Sequence, residues 1–97
     1  MGEIIWTAEA EIWLKDIFDF ITLDSSEAAT NVIQGIYRRA QQLKAFPQSD
    51  HLHRTERDGE IRILLYGHYR IAYQLTTGNR IVILGVFHGA LNIERLL

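Results

Sequence analysis

Several residue types that define common protein classes are missing from this chain. It contains no cysteine, which excludes a disulfide framework, a thiolate nucleophile and a zinc site built from cysteines. No apolar run approaches the roughly 20 residues that a membrane-spanning helix needs. Glu3 stands where a secretory signal peptide would carry basic residues, so we expect no signal peptide. These absences favour a cytoplasmic protein that has no contact with a membrane.

Length and composition are those of a single globular domain over residues 1–97. Hydrophobic residues make up 47% of the chain and charged residues 23%, which is ordinary for a folded protein. The charges are unevenly distributed. Residues 1–34 carry seven acidic side chains and one lysine, whereas residues 35–97 carry nine basic and five acidic side chains. The asymmetry indicates either an anionic partner for the C-terminal part or two halves that complement each other within one fold.

The N-terminal half predicts a short strand followed by two amphipathic helices. Residues 3–6 suit a strand, and Thr7 is a typical N-cap for a helix that ends near Ile21. Ser25 or Ser26 caps the second helix, whose apolar residues recur at the spacing of one helical face. The single proline of the chain follows this helix and closes it.

The C-terminal half predicts a polar loop over residues 46–58 and then three strands. The predicted strands are Ile61–Tyr66, Tyr69–Leu75 and Arg80–Phe87, and residues 90–97 form a tail, expected to hold one helical turn. In the middle strand Tyr69, Ile71 and Tyr73 share one face while Arg70 lies on the other. Two amphipathic helices must bury their apolar faces on such a sheet, so we expect a two-layer α+β domain.

A series of short motifs along the chain resembles the RelE/ParE superfamily of bacterial type II toxin–antitoxin toxins, and ParE more than RelE. The motifs are Thr7-Ala8-Glu9-Ala10, Ala28-Ala29, Phe46-Pro47, Ile61-Arg62-Ile63, Tyr69-Arg70-Ile71-Ala72-Tyr73 and Ile83-Leu84-Gly85-Val86-Phe87-His88-Gly89-Ala90. The resemblance implies an N-terminal strand, two antiparallel helices and a three-stranded antiparallel sheet. It also implies a toxin that needs no cofactor, is neutralised by a cognate antitoxin and forms a toxin–antitoxin hetero-oligomer.

The superfamily divides by target, because RelE-like members cut mRNA in the ribosome and ParE-like members poison DNA gyrase. The segment Phe87-His88-Gly89-Ala90 resembles ParE-type chains. Such chains often continue with Arg-Asp, where this one has Leu91-Asn92, and often carry arginine in place of Gly85. No tyrosine follows His88 and no lysine follows Lys44, whereas RelE-like enzymes usually supply one or the other. Gyrase is therefore favoured over ribosome-bound mRNA, with an endoribonuclease or an inactive antitoxin-binding module as the alternatives.

Three residues would carry catalysis if the chain were a nuclease. Arg70 would bind phosphate, Arg62 would lie beside it on the neighbouring strand, and His88 resembles the C-terminal acid or base of the family. Glu56 or Glu60 could add a carboxylate. The structural alternatives are an ion pair between Arg70 and Glu60 or a helix acid, and a hydrogen bond that holds His88 at a strand end.

Other candidate ligands are weaker. His51 and His53, taken with His68, have a spacing that metal ligands use, but the sequence places no third ligand with them. We therefore expect no metal. Arg54 and Arg57 are expected to be solvated loop charges, and the chain contains no glycine-rich phosphate loop.

Overall fold

The computed structural model describes residues 3–48 and 51–89. In chain order the elements are β1 (Glu3–Trp6), α1 (Ala8–Thr22), α2 (Ser26–Gln41), a 3₁₀ turn (Gln42–Lys44), β2 (His51–Glu56), β3 (Gly59–Tyr66), β4 (Tyr69–Thr76) and β5 (Arg80–His88). The helix predicted for the tail 90–97 lies outside the described residues. No helix within the described ranges is long and apolar enough to cross a membrane.

The strands form one sheet in the order β1-β5-β4-β3-β2. β1 runs parallel to β5, and the other neighbouring pairs are antiparallel. The predicted two-layer α+β fold is confirmed, although the sheet has five strands. The prediction of a loop over 46–58 was wrong for His51–Glu56, which pairs with β3. A polar, charged edge strand resembles a loop in sequence, because its side chains stay in water and charge protects the edge from association.

Side-chain caps fix the start of both helices, as the sequence predicts. The Thr7 hydroxyl accepts a hydrogen bond from the Ala10 backbone N–H (3.1 Å) and donates one to the Ile83 carbonyl (2.8 Å). The Ser25 hydroxyl accepts from the Ala28 N–H at 3.1 Å. Thr7 therefore both begins α1 and ties that helix to β5.

The helices cover one face of the sheet and enclose the main core. Its buried members are Ala10, Leu14, Ile36, Ala40, Leu43, Leu64, Ile71, Tyr73, Ile81, Ile83 and Val86. Gly35 of α2 lies against Tyr66 of β3, because a Cβ at position 35 would overlap the Tyr66 hydroxyl and ring. The glycine therefore makes room for a sheet residue.

An irregularity in β5 changes which of its residues face the helices. The pairing with β4 shifts between Ala72 and Tyr73, so Leu84 is the extra residue of a bulge. Beyond the bulge, Phe87 packs with Ile63 and Ala72 in a second buried cluster. The Phe87 ring meets Trp13 of α1 edge-on, with centroids 4.6 Å apart.

Candidate functional site

The turn between β3 and β4 meets the end of β5 and brings two histidines and an arginine together. Tyr69 lies opposite His88 in the ladder, so Arg70 lies opposite Phe87. The turn contains Gly67 with φ of 56°, a left-handed conformation that glycine adopts without strain. The Gly89 N–H donates to the His68 carbonyl at 2.7 Å. The turn is thereby fixed to the end of β5.

These residues surround an open pocket of about 370 Å³. Its walls are Leu65, Gly67, His68, Tyr69, Arg70, His88 and Gly89. The His68 and His88 rings lie 6.3 Å apart with their planes at 21°, and the Tyr69 ring stands perpendicular to His88 at 5.9 Å. The lining of this pocket therefore includes two histidines and one arginine. We call it the cationic pocket, because the Arg70 guanidinium is permanently charged.

The Arg70 side chain is exposed and forms no ion pair within residues 3–48 and 51–89. The ion pair considered between Arg70 and Glu60 is absent from this part of the chain, because Glu60 binds Arg62 (2.9 Å). The prediction that Arg70 faces away from the main core agrees with this position, since Tyr73 of the same strand is buried among the helices.

Arg62 does not lie beside Arg70, and the expectation that it would was wrong. It pairs with Tyr73, whereas Arg70 pairs with Leu65. Three residues separate Arg62 from Leu65 along β3, and an odd separation places side chains on opposite faces of a sheet. Arg62 is only 9% exposed and also donates to the Gln48 carbonyl at 3.1 Å.

The surroundings of Arg62 indicate a structural role. The Tyr73 hydroxyl, on the same face of the sheet, donates to the Pro47 carbonyl at 2.6 Å. Arg62 and Tyr73 therefore bind two consecutive carbonyls, those of Gln48 and Pro47, in the segment that follows the second helix. Arg62 fastens that segment to the sheet and is remote from the pocket around Arg70.

The remaining sequence candidates lie elsewhere. Arg54 and Glu56 pair with each other on β2 at 2.9 Å, and Arg57 is exposed in the turn that follows. His51 lies opposite Ile63 on the edge strand, far along the ladder from the turn that holds His68. In the described ranges no three histidine or acidic side chains come close enough to share a metal ion.

A second, apolar pocket of about 370 Å³ adjoins the first, between α1 and the sheet. Its lining is Trp13, Asp16, Ile17, Phe20, Tyr69, Val86 and His88. Tyr69 and His88 line both pockets. Phe20 is 75% exposed, and Leu23, which follows α1, is 84% exposed. We call this lining the α1 groove.

Negative charge is concentrated along α1 and is mostly not neutralised by the C-terminal half. Lys15 pairs within the helix with Asp19 at 2.7 Å, and this hydrogen bond raises the Lys15 pKa. Across the two halves of the described chain one ion pair forms, between Arg80 and Glu3 at 3.7 Å. Among the described residues, ion pairs therefore neutralise little of the acidic charge of α1, and this helix lies next to the pocket that contains Arg70.

Sequence reasoning missed two residues of the cationic pocket. His68 was considered only as a turn residue and a metal candidate, and Tyr69 only as a core residue. A signal for both was present, because the two-residue turn Gly67-His68 puts Tyr69 at the start of β4. Their distance to His88 also depends on the bulge at Leu84, which composition does not reveal.

Comparison with known proteins identifies the fold and then the family. A solved structure described as the chromosomal ParDE TA system from P. aeruginosa superimposes with a TM-score of 0.72. At 23% identity it covers 91% of this chain, and 96% of that chain is covered in turn. The family model for the ParE toxin of type II toxin–antitoxin systems, parDE, matches residues 4–92. Among curated proteins, none matches this chain.

The fold is thus that of a type II toxin. Because the family model spans nearly the whole sequence, the chain belongs to the ParE toxin family. It is the toxin component of a type II toxin–antitoxin system, and its partner is a cognate antitoxin. The resemblance drawn from the sequence motifs is confirmed.

Proposed function

We propose that this toxin inhibits DNA gyrase in the cytoplasm by binding it, without chemistry of its own. Membership of the ParE family supports gyrase as the target, and the ParE-type motif at His88 lines the cationic pocket. One observation carries the choice against catalysis. The three residues that a nuclease would need are not assembled, because Arg62 is buried on the other face of the sheet.

The composition of the pocket supports the same choice. Among the described residues, those that line it include no lysine and no carboxylate. A nuclease would rely on histidines alone for proton transfer. A binding surface has no such requirement. Exposed Leu65, exposed Arg70 and exposed His68 together offer apolar, cationic and polar contacts on one rigid hairpin.

The antitoxin, on this proposal, binds in the α1 groove through an amphipathic segment. An apolar helix face laid into a hydrophobic groove is a recurrent mode of peptide recognition. Phe20 of this groove is a large apolar side chain in water, and burying it is worth about 1.5–3 kcal/mol. Asp16 in the same groove favours a partner segment that carries a basic residue among its apolar ones.

A matched pair of variants tests this docking site. Phe20→Ser removes an apolar contact of the groove, whereas Ile12→Ser removes an exposed apolar side chain (59%) from the same helix but outside the groove. We expect Phe20→Ser to weaken co-purification with the antitoxin at least tenfold and Ile12→Ser to leave it unchanged. Equal behaviour of the two variants would contradict the groove assignment.

A specific observation also supports the endoribonuclease alternative. The His68 and His88 rings stack with centroids 6.3 Å apart, and Arg70 lines the same pocket. Two imidazoles can act as acid and base while a guanidinium stabilises a phosphorane-like transition state. If this chemistry operated, His88→Ala would lower the rate about 10²–10⁴-fold, whereas a gyrase inhibitor should lose little from that change.

Inducible expression with two readouts separates the candidates. We expect SOS induction and DNA breaks while bulk mRNA stays intact. Cut mRNA with translation arrest and no SOS response would assign the toxin to the ribosome instead. Absence of growth inhibition with retained antitoxin binding would identify an inactive binding module.

A further inference from the structure

The α1 groove is lined by aromatic rings as well as by aliphatic side chains. Trp13 and Phe20 come from α1, Tyr69 begins β4 and His88 ends β5. The Tyr69 ring stands perpendicular to the His88 ring, with centroids 5.9 Å apart. Tryptophan, tyrosine and phenylalanine attract cations to their ring faces, with tryptophan the strongest. The groove therefore offers a cation more than apolar surface.

Asp16 is the acidic residue of this groove, and the described chain does not neutralise it. The neighbouring Lys15 binds Asp19 at 2.7 Å instead. Within residues 3–48 and 51–89 the Asp16 carboxylate forms no ion pair. It is exposed and therefore keeps its capacity to bind a cation from outside.

The spacing along α1 places two rings beside this carboxylate. Trp13 stands three residues before Asp16, and Phe20 stands four residues after it. Residues three and four apart are neighbours on one face of a helix. All three residues line the same groove, so an acid flanked by two aromatic rings faces a possible partner.

The burial of the groove indicates where a charged group would lie. Val86 at its base is 0% exposed, and a charge placed over such a residue would lose its contact with water. Arg70 lines only the cationic pocket, whereas Tyr69 and His88 line both pockets. Because like charges repel, a bound cation is favoured on the α1 side of these two rings, next to Asp16.

An arginine side chain fits this arrangement better than a lysine side chain. Its guanidinium is planar and weakly hydrated, stacks on aromatic faces and forks onto a carboxylate. Its stem packs on apolar side chains, which Ile17 and Val86 supply. The groove volume of about 370 Å³ is about twelve times the ~30 Å³ that one water occupies in the liquid, so a whole arginine side chain fits.

We propose that the α1 groove binds an arginine side chain of the antitoxin, with the guanidinium forked onto Asp16 between the Trp13 and Phe20 rings. The stem lies along the groove over Val86. This inference rests on the proposed function, which places the antitoxin segment in the groove. It adds that a cation anchors the segment, and that Asp16 is a binding residue of the toxin.

Titration of the purified toxin with capped amino acids tests the site directly. The probes are N-acetyl-arginine methylamide, its neutral isostere N-acetyl-citrulline methylamide and the apolar N-acetyl-norleucine methylamide. The chain has two tryptophans. Trp13 lines the groove, whereas Trp6 packs against Tyr37 with centroids 4.6 Å apart and serves as the internal control.

We expect the arginine probe to shift the indole N–H NMR signal of Trp13 saturably and to leave that of Trp6 in place. The measurement is made at about pH 8, where free imidazoles are largely neutral and do not repel the probe. The arginine probe should bind at least about fivefold more tightly than either of the other probes, because they lack the charge. An equal response to the arginine and norleucine probes would overturn the proposal, as would an unmoved Trp13 signal.

Two variants of neighbouring acids complete the test. Asp16→Asn keeps the shape of the side chain and removes its charge, so it should weaken binding of the arginine probe at least about fivefold. Asp19→Asn removes a 56% exposed carboxylate from the same helix, one that pairs with Lys15, and should leave binding unchanged. Equal affinity of Asp16→Asn and the unmodified chain would refute the assignment.

Co-purification with the antitoxin separates this inference from the docking proposal beneath it. Asp16→Asn should weaken the complex, whereas Asp19→Asn should not. If Phe20→Ser weakened the complex and Asp16→Asn left it intact, the groove would remain the docking site and the arginine anchor would be wrong. If neither variant had an effect, both the groove and the anchor would be wrong.

Discussion

Replacement of Gly35 by alanine sets two known effects against each other. In an α-helix, Gly→Ala stabilises by about 1 kcal/mol. Here a Cβ would overlap the Tyr66 hydroxyl and ring carbon Cζ, and it would lie 3.1 Å from Cε2. Relief requires the rigid Tyr66 ring to move within the packed layer, and overpacking of this kind costs about 1–3 kcal/mol. We therefore expect a net loss of up to about 2 kcal/mol.

Urea denaturation of four variants measures this balance. Gly35→Ala should be less stable than the unmodified chain, whereas Asn31→Ala, at an exposed position of the same helix, should gain a few tenths of a kcal/mol (~0.5). In a Tyr66→Leu background the clash is removed, and Gly35→Ala should then stabilise by up to ~1 kcal/mol. A more stable Gly35→Ala single variant would refute the reasoning.

Three further predictions concern stability. Burial, with a hydrogen bond to Glu11, raises the Tyr37 pKa above its usual value of 10.0. The stability that protonated Tyr37 gives the folded state is therefore complete below pH ~10 and is lost as the pH rises through the raised pKa. Tyr37→Phe should lower the free energy of unfolding by about 1 kcal/mol and abolish that pH dependence in urea melts. Thr7→Ala should cost about 1–2 kcal/mol by the same assay, because the cap and the bond to Ile83 are both lost, whereas Thr7→Ser should keep most of it. Arg62→Ala should cost ~3 kcal/mol, whereas Arg70→Ala should reduce toxicity with a change below ~0.5 kcal/mol; similar losses from both would contradict their assigned roles.

The sequence predicted the elements whose signals are local. The N-caps at Thr7 and Ser25 depend on a side chain and a backbone N–H three residues apart, and both are confirmed. Alternation of apolar and polar residues likewise predicted β4. The edge strand β2 was missed, because its polar side chains face water and its strand conformation depends on hydrogen bonding to β3.

The candidate site depended on information that is not local. Arg70 and His88 were predicted to act together. The ladder pairs Arg70 with Phe87 and His88 with Tyr69, so the two side chains start from opposite faces of the sheet, although both residues line one pocket at the end of the hairpin. Arg62 and Arg70 lie on neighbouring strands, but Arg70 pairs with Leu65, which is three residues from Arg62. The two arginines therefore point to opposite faces of the sheet, and Arg62 is buried. His68 joins the site through the turn that Gly67 makes possible and through the bulge at Leu84. The glycine is visible in the sequence, but the bulge has no compositional signal.

A purified gyrase assay tests the central proposal most directly. The toxin is added to gyrase and plasmid DNA, and supercoiling and cleaved DNA are both measured, with ribosome-bound mRNA probed in parallel by primer extension. We predict loss of supercoiling, accumulation of cleaved plasmid, restoration by the antitoxin and uncut mRNA. Full gyrase activity together with codon-positioned cuts in the mRNA would contradict the account.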